Sequence, residues 1–207
     1  MAVRRRGRRP GRRPAAALKL RHRLAAGLLA LAALPAAAEF EETLVFRYYD
    51  STHRPGMTLL AAINAATPIR QDGAVFHGYT AWRANWHYRW WKEADGRCRI
   101  TGNQTRLAAE ITLPRLSTAD PAIRQRFDSY LAALKNHEME HVRIARDYAQ
   151  RIDHGILGLP TMRSCQQLER TANDLAERLL QEAKDAEREM DRRTRHGASQ
   201  GASLLEH

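Results

Sequence analysis

Polar and apolar residues alternate in the first half of the segment that follows residue 38. Residues 43–49 (TLVFRYY) are mostly β-branched or aromatic, and over residues 80–90 the aromatic side chains alternate with Arg, Asn and His. A period of two is expected of a strand with one buried face. Residues 97–114 predict one or two further strands, broken at residues 101–103. These segments together indicate a small antiparallel sheet.

Apolar positions in the second half recur at steps of three and four, which predicts helices. Asp120, followed by proline, is placed to cap the first helix, which runs to about His154 before residues 155–160 (GILGLP) end it. A second helix is expected over residues 165–195, with Gly197 as its C-terminal cap. The apolar stripe of the first helix comprises Ile123, Phe127, Tyr130, Leu134, His137, His141, Ile144, Tyr148 and Ile152. The pattern predicts an α+β fold, with the sheet packed beside two long helices.

The first 38 residues have a different pattern. An Arg-rich stretch over residues 4–23 precedes an apolar run over residues 24–34, and a small-x-small site ends at Ala38. This order of zones is typical of a secretory signal peptide. The apolar run is too short for a membrane-spanning helix, which needs about 20 residues. We therefore expect a signal peptide over residues 1–38 and one secreted or periplasmic domain over residues 39–207, with no stable membrane span after cleavage.

The positive charge is concentrated in that leader. The whole chain carries 34 Lys and Arg against 23 Asp and Glu, a formal net charge of +11. Ten of the basic residues and none of the acidic ones precede Glu39, which leaves 24 basic against 23 acidic residues in the domain. A nearly neutral domain lacks the basic surface expected of a nucleic-acid binder, so we expect no nucleic-acid partner.

Two cysteines, Cys98 and Cys165, are present in the chain. In an exported protein an even pair is most simply a disulfide, because the compartment is oxidising. We therefore predict that these two residues are bonded to each other.

The first long helix contains the sequence NHEMEH, which places His137, Glu138 and His141 in an H-E-x-x-H arrangement. Residues four apart lie on one helical face, so both imidazoles can meet one metal ion and Glu138 can reach a water on it. Zinc suits two histidines and a third nitrogen or oxygen ligand, which leaves one position for water. Both histidines continue the apolar stripe, and polar groups on a buried face need partners. The motif therefore predicts a zinc site.

The third ligand must come from another segment. The longer pattern H-E-x-x-H-x-x-G-x-x-H is not met, because Ile144 and Asp147 occupy its glycine and third histidine positions. The end of the second helix, residues 190–197 (MDRRTRHG), brings Asp191 and His196 together. We take His196 as the provisional third ligand, and Asp191 as the residue that orients a histidine or replaces His196 as ligand. Carboxylates along the second helix are further alternatives, namely Glu169, Glu177 and Glu182.

These features resemble a family of bacterial proteins catalogued as domain of unknown function 922 and predicted to be secreted zinc-dependent proteases. The resemblance covers nearly all of residues 39–207 and implies a zincin-like fold with bound zinc. The family pattern ends in D-x-x-T-x-H-G with a tyrosine before the aspartate, where this chain has Met190. The motifs that carry the resemblance are GYTAWRANWHYRW at 78–90, Cys98, Leu-Pro at 113–114, HEMEH at 137–141, Cys165, and DRRTRHGASQGA at 191–202.

The expected activity is hydrolysis of peptide bonds in a peptide or protein substrate. Zinc lowers the pKa of its bound water toward about 7. Glu138 would take the water proton and pass it to the leaving amine. The substrate could lie as an added strand on a sheet edge. Candidate donors to the oxyanion are Tyr79, Tyr148 and His154.

Two rival interpretations use the same residues. One is a zinc hydrolase of another bond, such as an amide in cell-wall material. The other is a non-enzymatic envelope protein whose metal is structural, which would be favoured by a closed site with four protein ligands and no water.

We predict that the mature protein begins near Glu39, because the basic, apolar and small-residue zones occur in the order that export requires. N-terminal sequencing of protein from the cell envelope should show this terminus. Recovery of the chain in the cytoplasm with Met1 intact would contradict it.

Overall fold

A computed structural model describes residues 38–71 and 73–205, so the predicted signal peptide over residues 1–38 lies outside the described residues except at its last position. Three long strands form a sheet beside two long helices, and the mixture confirms the predicted α+β class. In chain order the elements are β1 (Ala38–Thr52), α1 (Leu59–Ala66), β2 (Arg70–Gln71), β3 (Ala74–Val75), β4 (Tyr79–Lys92), β5 (Cys98–Ser117), α2 (Pro121–Leu157), α3 (Cys165–Thr194) and a short 3₁₀ helix, Ala198–Gln200.

The large sheet has the strand order β1-β5-β4. Strands β4 and β5 are antiparallel neighbours, whereas β1 runs parallel to β5, from Ala38 opposite Asn103 to Thr52 opposite Ser117. The prediction of an antiparallel sheet is therefore wrong for β1. The alternation of polar and apolar residues specifies which face of a strand is buried but not the direction of its neighbour.

The central strand β5 is continuous across the break predicted at residues 101–103. The pairing with β4 shifts register there, since Arg89 lies opposite Gly102 and Trp90 lies opposite Ile100. One extra residue is thus accommodated as a bulge, which bends the strand without ending it. Pro114 is tolerated in this strand because pairing with β4 ends at Thr112, so fewer backbone donors are needed beyond it.

The inward-facing aromatic residues of β4 connect the sheet to α3. The indole N–H of Trp82 donates to Glu187 Oε1 at 2.6 Å, and that of Trp86 donates to Asn173 Oδ1 at 3.2 Å. The aromatic rings are half-buried against the apolar core, and their polar edges find partners on the helix. The alternation seen in the sequence therefore defines a face that packs on helices.

Helix α2 begins as predicted, with the Asp120 carboxylate accepting from the backbone N–H groups of Ala122 and Ile123. It ends at Leu157, three residues beyond the predicted end. Its buried stripe also differs, because Val142, Ala145 and Ala149 are buried where Ile144 and Tyr148 were expected. Small side chains let the helix lie close to the sheet, and periodicity of large residues does not detect them. None of the helices in the described part of the chain combines the length and the apolar character that a membrane span requires.

Helix α3 ends one residue before the predicted position, and its cap is not Gly197. Arg195 is the C-terminal cap, with a left-handed φ of 51°, and its backbone N–H bonds to the carbonyls of Arg192 and Asp191. His196 and Gly197 also have positive φ values, 51° and 81°. The chain therefore reverses sharply after the helix, and Gly197 serves the reversal rather than the cap.

The predicted disulfide between Cys98 and Cys165 is confirmed, with Cα atoms 5.0 Å apart. It joins the first residue of β5 to the first residue of α3. Backbone hydrogen bonds of 2.8 and 2.9 Å between Cys98 and Met162 align the two segments beside it. The bond thus fixes the start of α3 on the sheet.

We predict that replacing both Cys98 and Cys165 by serine lowers the free energy of unfolding by up to about 4 kcal/mol, because the crosslink closes a long loop in the unfolded chain. Urea denaturation with and without reductant measures this. Reductant should lower the midpoint of the wild-type protein and leave that of the double variant unchanged. Equal midpoints for all four samples would contradict the prediction.

Candidate metal centre

Two histidines of α2 and one aspartate of α3 meet between the helices. His137 Nε2 lies 3.1 Å from Asp191 Oδ1, and His141 Nε2 lies 3.2 Å from the same oxygen. One ligand atom from each of the three residues lies within 4.8 Å of the others. The spacing of four within α2 puts both rings on the face that packs against α3.

The other ring nitrogen of each histidine, Nδ1, lies near a side-chain oxygen. His137 Nδ1 lies 2.9 Å from Gln200 Oε1, and His141 Nδ1 lies 3.4 Å from Glu187 Oε1. Glu187 also accepts the indole N–H of Trp82. The His137 ring is therefore held at Nδ1 by a hydrogen bond and the His141 ring lies beside a carboxylate, and both turn Nε2 toward Asp191, as metal-binding histidines with acceptors beside them do.

The chemistry of the three side chains fits a zinc ion. Asp191 Oδ1 is buried and has no hydrogen-bond partner among the described residues, because its short contacts with the two rings lack hydrogen-bond geometry. Two ligands about 2.0 Å from a tetrahedral ion lie roughly 3.3 Å apart, close to the two Nε2 to Oδ1 distances of 3.1 and 3.2 Å. Two imidazoles and one carboxylate form a donor set that zinc accepts.

The electrostatics of the group favour positive charge between the helices. Burial alone lowers the pKa of His141, but Asp191 and Glu187 outweigh it and raise the pKa to about 10. Burial also lowers the pKa of His137, but hydrogen bonds with Asp191 and Gln200 raise it by more, so the pKa of His137 lies above its usual value. Burial raises the pKa of Asp191, yet the two histidines hold it well below its usual range. A cation is thus stabilised at this place.

Glu138 lies beside the group with its side chain buried. Its Oε2 accepts the hydroxyl of Thr80 at 2.7 Å, and its Oε1 has no hydrogen-bond donor among the residues described. Burial is the largest influence on Glu138 and raises its pKa, although Thr80 opposes this. A Cβ at Gly78 would lie 2.5 Å from Glu138 Oε1, so glycine lets the chain before β4 pass this carboxylate without displacing it. Glu138 is therefore a positioned carboxylate with a raised affinity for a proton.

The group opens into a cleft of about 750 Å³ between α2, α3 and the β2–β3 hairpin. Val75 and Tyr79 line it from the hairpin side, and both are exposed. Lys184 and Arg188 line it from α3. A cleft of this volume is large enough for several residues of an extended chain or for a comparable small molecule.

His196, the provisional third ligand, lies at the rim of the group. Its Nδ1 is 3.7 Å from Asp191 Oδ1, and its side chain is 59% exposed. The edge of its ring faces Phe76, with 5.3 Å between ring centroids. The structure therefore brings Asp191 into the three-residue group with His137 and His141, while the predicted role of His196 stays a prediction.

The remaining candidates are divided between the cleft and distant surfaces. Tyr79 lines the cleft, whereas Tyr148 packs under the Arg151 guanidinium at 4.3 Å and His154 is exposed in the last turn of α2. The glutamates proposed as alternative ligands lie elsewhere on α3: Glu169 accepts from Trp90, Glu177 is exposed, and Glu182 pairs with Arg151.

Sequence reasoning missed a polar chain beside the cleft. Tyr130 OH lies 2.6 Å from His77 Nδ1, and His77 Nε2 lies 2.6 Å from Asn64 Oδ1. Burial raises the pKa of Tyr130 above its usual range, so its hydroxyl stays protonated at neutral pH. Tyr130 and His77 both line the cleft. The three residues come from α2, α1 and the loop before β4, and no spacing along the chain signals their meeting.

A comparison with models of protein families shows which family this chain belongs to. Residues 46–197, nearly three quarters of its length, match the model of a family described as bacterial protein of unknown function (DUF922). The chain belongs to this family, which confirms the family assignment made from its motifs. No curated protein and no solved structure matches the chain.

We predict that His137→Ala, His141→Ala and Asp191→Ala each weaken the binding of a metal ion, tested with zinc, because each removes one of the three grouped ligand atoms. The loss should exceed the roughly ten- to hundredfold cost of removing a residue that only supports a ligand. His196→Ala should have a smaller effect, since its ring is largely exposed. Chelator competition measures the dissociation constants. Full affinity in Asp191→Ala together with loss in His196→Ala would reverse the assignment of the third ligand.

Proposed function

We propose that this protein is an exported zinc-dependent hydrolase that cleaves peptide bonds. The observation that carries the proposal is the buried Glu138 carboxylate beside a two-histidine, one-aspartate group that opens into a cleft. Export is supported by the signal pattern of residues 1–38 and by the Cys98–Cys165 disulfide.

In this proposal His137, His141 and Asp191 hold the ion through their Nε2 and Oδ1 atoms. Bound zinc supplies a water of lowered pKa and polarises a carbonyl. Three protein ligands leave a tetrahedral ion one further position, as in catalytic rather than structural sites. The open cleft next to the group is consistent with access of water and substrate to that position.

Glu138 acts as the proton acceptor in the proposed reaction. Thr80 fixes Oε2, which leaves Oε1 to take the proton from the attacking water and later give it to the leaving amine. The raised pKa of Glu138 brings it closer to the operating pH, where a general base and acid is most effective. The single hydroxyl hydrogen of Thr80 is shared between Glu138 Oε2 and the backbone carbonyl of Glu138, which lies 3.1 Å away, so the start of β4 contacts both the side chain and its helix.

The substrate proposed for the cleft is an extended peptide. The walls of the cleft differ in character, with the exposed side chains of Val75 on β3 and Tyr79 at the start of β4 on one side and the cations Lys184 and Arg188 of α3 on the other. Strand β4 is an edge strand, and its first residues line the cleft. A peptide could pair with that edge and extend past Glu138. A cell-wall amide would use the same polar residues but would not need the strand edge.

We predict that Glu138→Gln keeps near-stoichiometric zinc while hydrolysis falls at least about a hundredfold, as expected for loss of a general base. Glu140→Gln is the matched control, because Glu140 lies on the same helix and pairs at the surface with Arg143. Zinc content is measured by elemental analysis, and turnover is measured with peptide libraries and with cell-wall fragments.

Each outcome of this experiment separates the alternatives. Unchanged turnover in Glu138→Gln would overturn the role of Glu138. Cleavage of cell-wall fragments alone would replace the peptide substrate with a cell-wall amide. A wild-type protein that retains zinc through purification and cleaves neither substrate would favour a structural metal in an envelope protein.

A further inference from the structure

The segment after α3 turns back and lies against the metal-binding group. Arg195, His196 and Gly197 have consecutive positive φ values of 51°, 51° and 81°, which reverse the chain. A Cβ at Gly197 would lie 3.0 Å from His137 Cγ and 3.2 Å from His137 Cβ. The backbone at Gly197 therefore packs directly on His137, where both the conformation and the space favour glycine.

Contacts on both sides fix the path of this segment. The carbonyl of Gly197 accepts from the backbone N–H groups of Gln200 at 2.9 Å and Ala202 at 3.0 Å. Further along, Leu204 is buried in the core cluster around Phe127, and Arg126 Nη2 donates to the Leu204 carbonyl at 3.1 Å. Gln200 is thus held between an ordered turn and a buried anchor.

The contact between Gln200 and His137 bears on which nitrogen of the imidazole carries the proton. Its Oε1 lies 2.9 Å from His137 Nδ1 and, as a carbonyl oxygen, can only accept. A neutral imidazole has one donor nitrogen and one acceptor nitrogen, so a proton on Nδ1 leaves the lone pair on Nε2. That atom is the one 3.1 Å from Asp191 Oδ1.

We propose that Gln200 is a positioning residue of the metal centre, which holds His137 in the tautomer and orientation that bind zinc. The inference rests on the proposed zinc site but not on hydrolysis. Residues 197–204 are then part of the centre, although the family match ends at residue 197. The corresponding neighbour of His141 is the Glu187 carboxylate, at the longer distance of 3.4 Å, so the hydrogen bond to Nδ1 belongs to His137.

The test compares zinc affinity among full-chain variants at neutral pH by competition with a chromophoric chelator. Gln200→Ala should weaken zinc binding about ten- to hundredfold, as loss of a histidine's supporting acceptor does. Gln200→Glu keeps an acceptor at the same reach and should restore affinity at least to the wild-type value. Gln181→Ala is the matched control, because this exposed glutamine of α3 contacts Asp185 away from the group. It should bind zinc as the wild-type protein does.

A second readout separates orientation from general destabilisation. Cobalt replaces zinc in such sites, and its visible absorption reports the ligand geometry. The cobalt spectrum should change in Gln200→Ala and return in Gln200→Glu, while the unfolding midpoint of each metal-free variant measures any loss of stability.

Every result bears on the inference. Wild-type affinity and cobalt spectrum in Gln200→Ala would overturn it and leave the proposed function intact, as would weakened binding that Gln200→Glu does not restore. Equal weakening in Gln181→Ala would also overturn it, because the effect would not be specific to His137. A wild-type protein that binds no zinc would overturn both the inference and the proposed function.

Discussion

The centre depends on the close approach of α2 and α3. Asp191 has a short side chain, so its carboxylate can reach both imidazoles of α2 only if the two helices nearly touch. Helix α3 turns Ala172, Ala176 and Ala183 inward, and all three are fully buried. Within α2, Gly155 admits the Leu175 side chain, whose Cδ2 would lie 2.8 Å from a Cβ at that position. Small residues thus create the spacing on which the geometry of the group relies.

The same spacing concentrates charge. Glu138, Glu187 and Asp191 lie around two imidazoles in a region largely withdrawn from solvent, and their combined field makes proton loss from His141 unfavourable. The arrangement is therefore built for a cation, either protons on the rings or a divalent ion that displaces them. Binding of a metal would release protons, because the ligands must coordinate as neutral imidazoles. The Nδ1 acceptors suit both states, since Nδ1 carries a proton in each.

The sequence predicted those features that depend on residues close together in the chain. The period of two located β4, the Asp120 cap located the start of α2, and the spacing of His137 and His141 placed both rings on one face. The parallel pairing of β1 was not predictable, because strand direction is set by the connections through α1 and β4. The meeting of Asp191 with α2, and of Tyr130 with His77 and Asn64, depends on contacts between distant segments. The terminal motif did identify Asp191 and His196 together, but the chain reversal at Arg195 decides which of them faces inward.

One edge strand supports two different components of the centre. Thr80 of this strand holds the carboxylate of Glu138, and Trp82 holds Glu187, whose Oε1 lies 3.4 Å from His141 Nδ1. Only one residue, Ala81, separates these contacts along β4. Local opening of that end of the sheet would release both supports together, as a single cooperative unit. Opening of the strand from Tyr79 as far as Trp82 therefore removes the support of the Glu138 carboxylate and that of Glu187 beside His141 in one event.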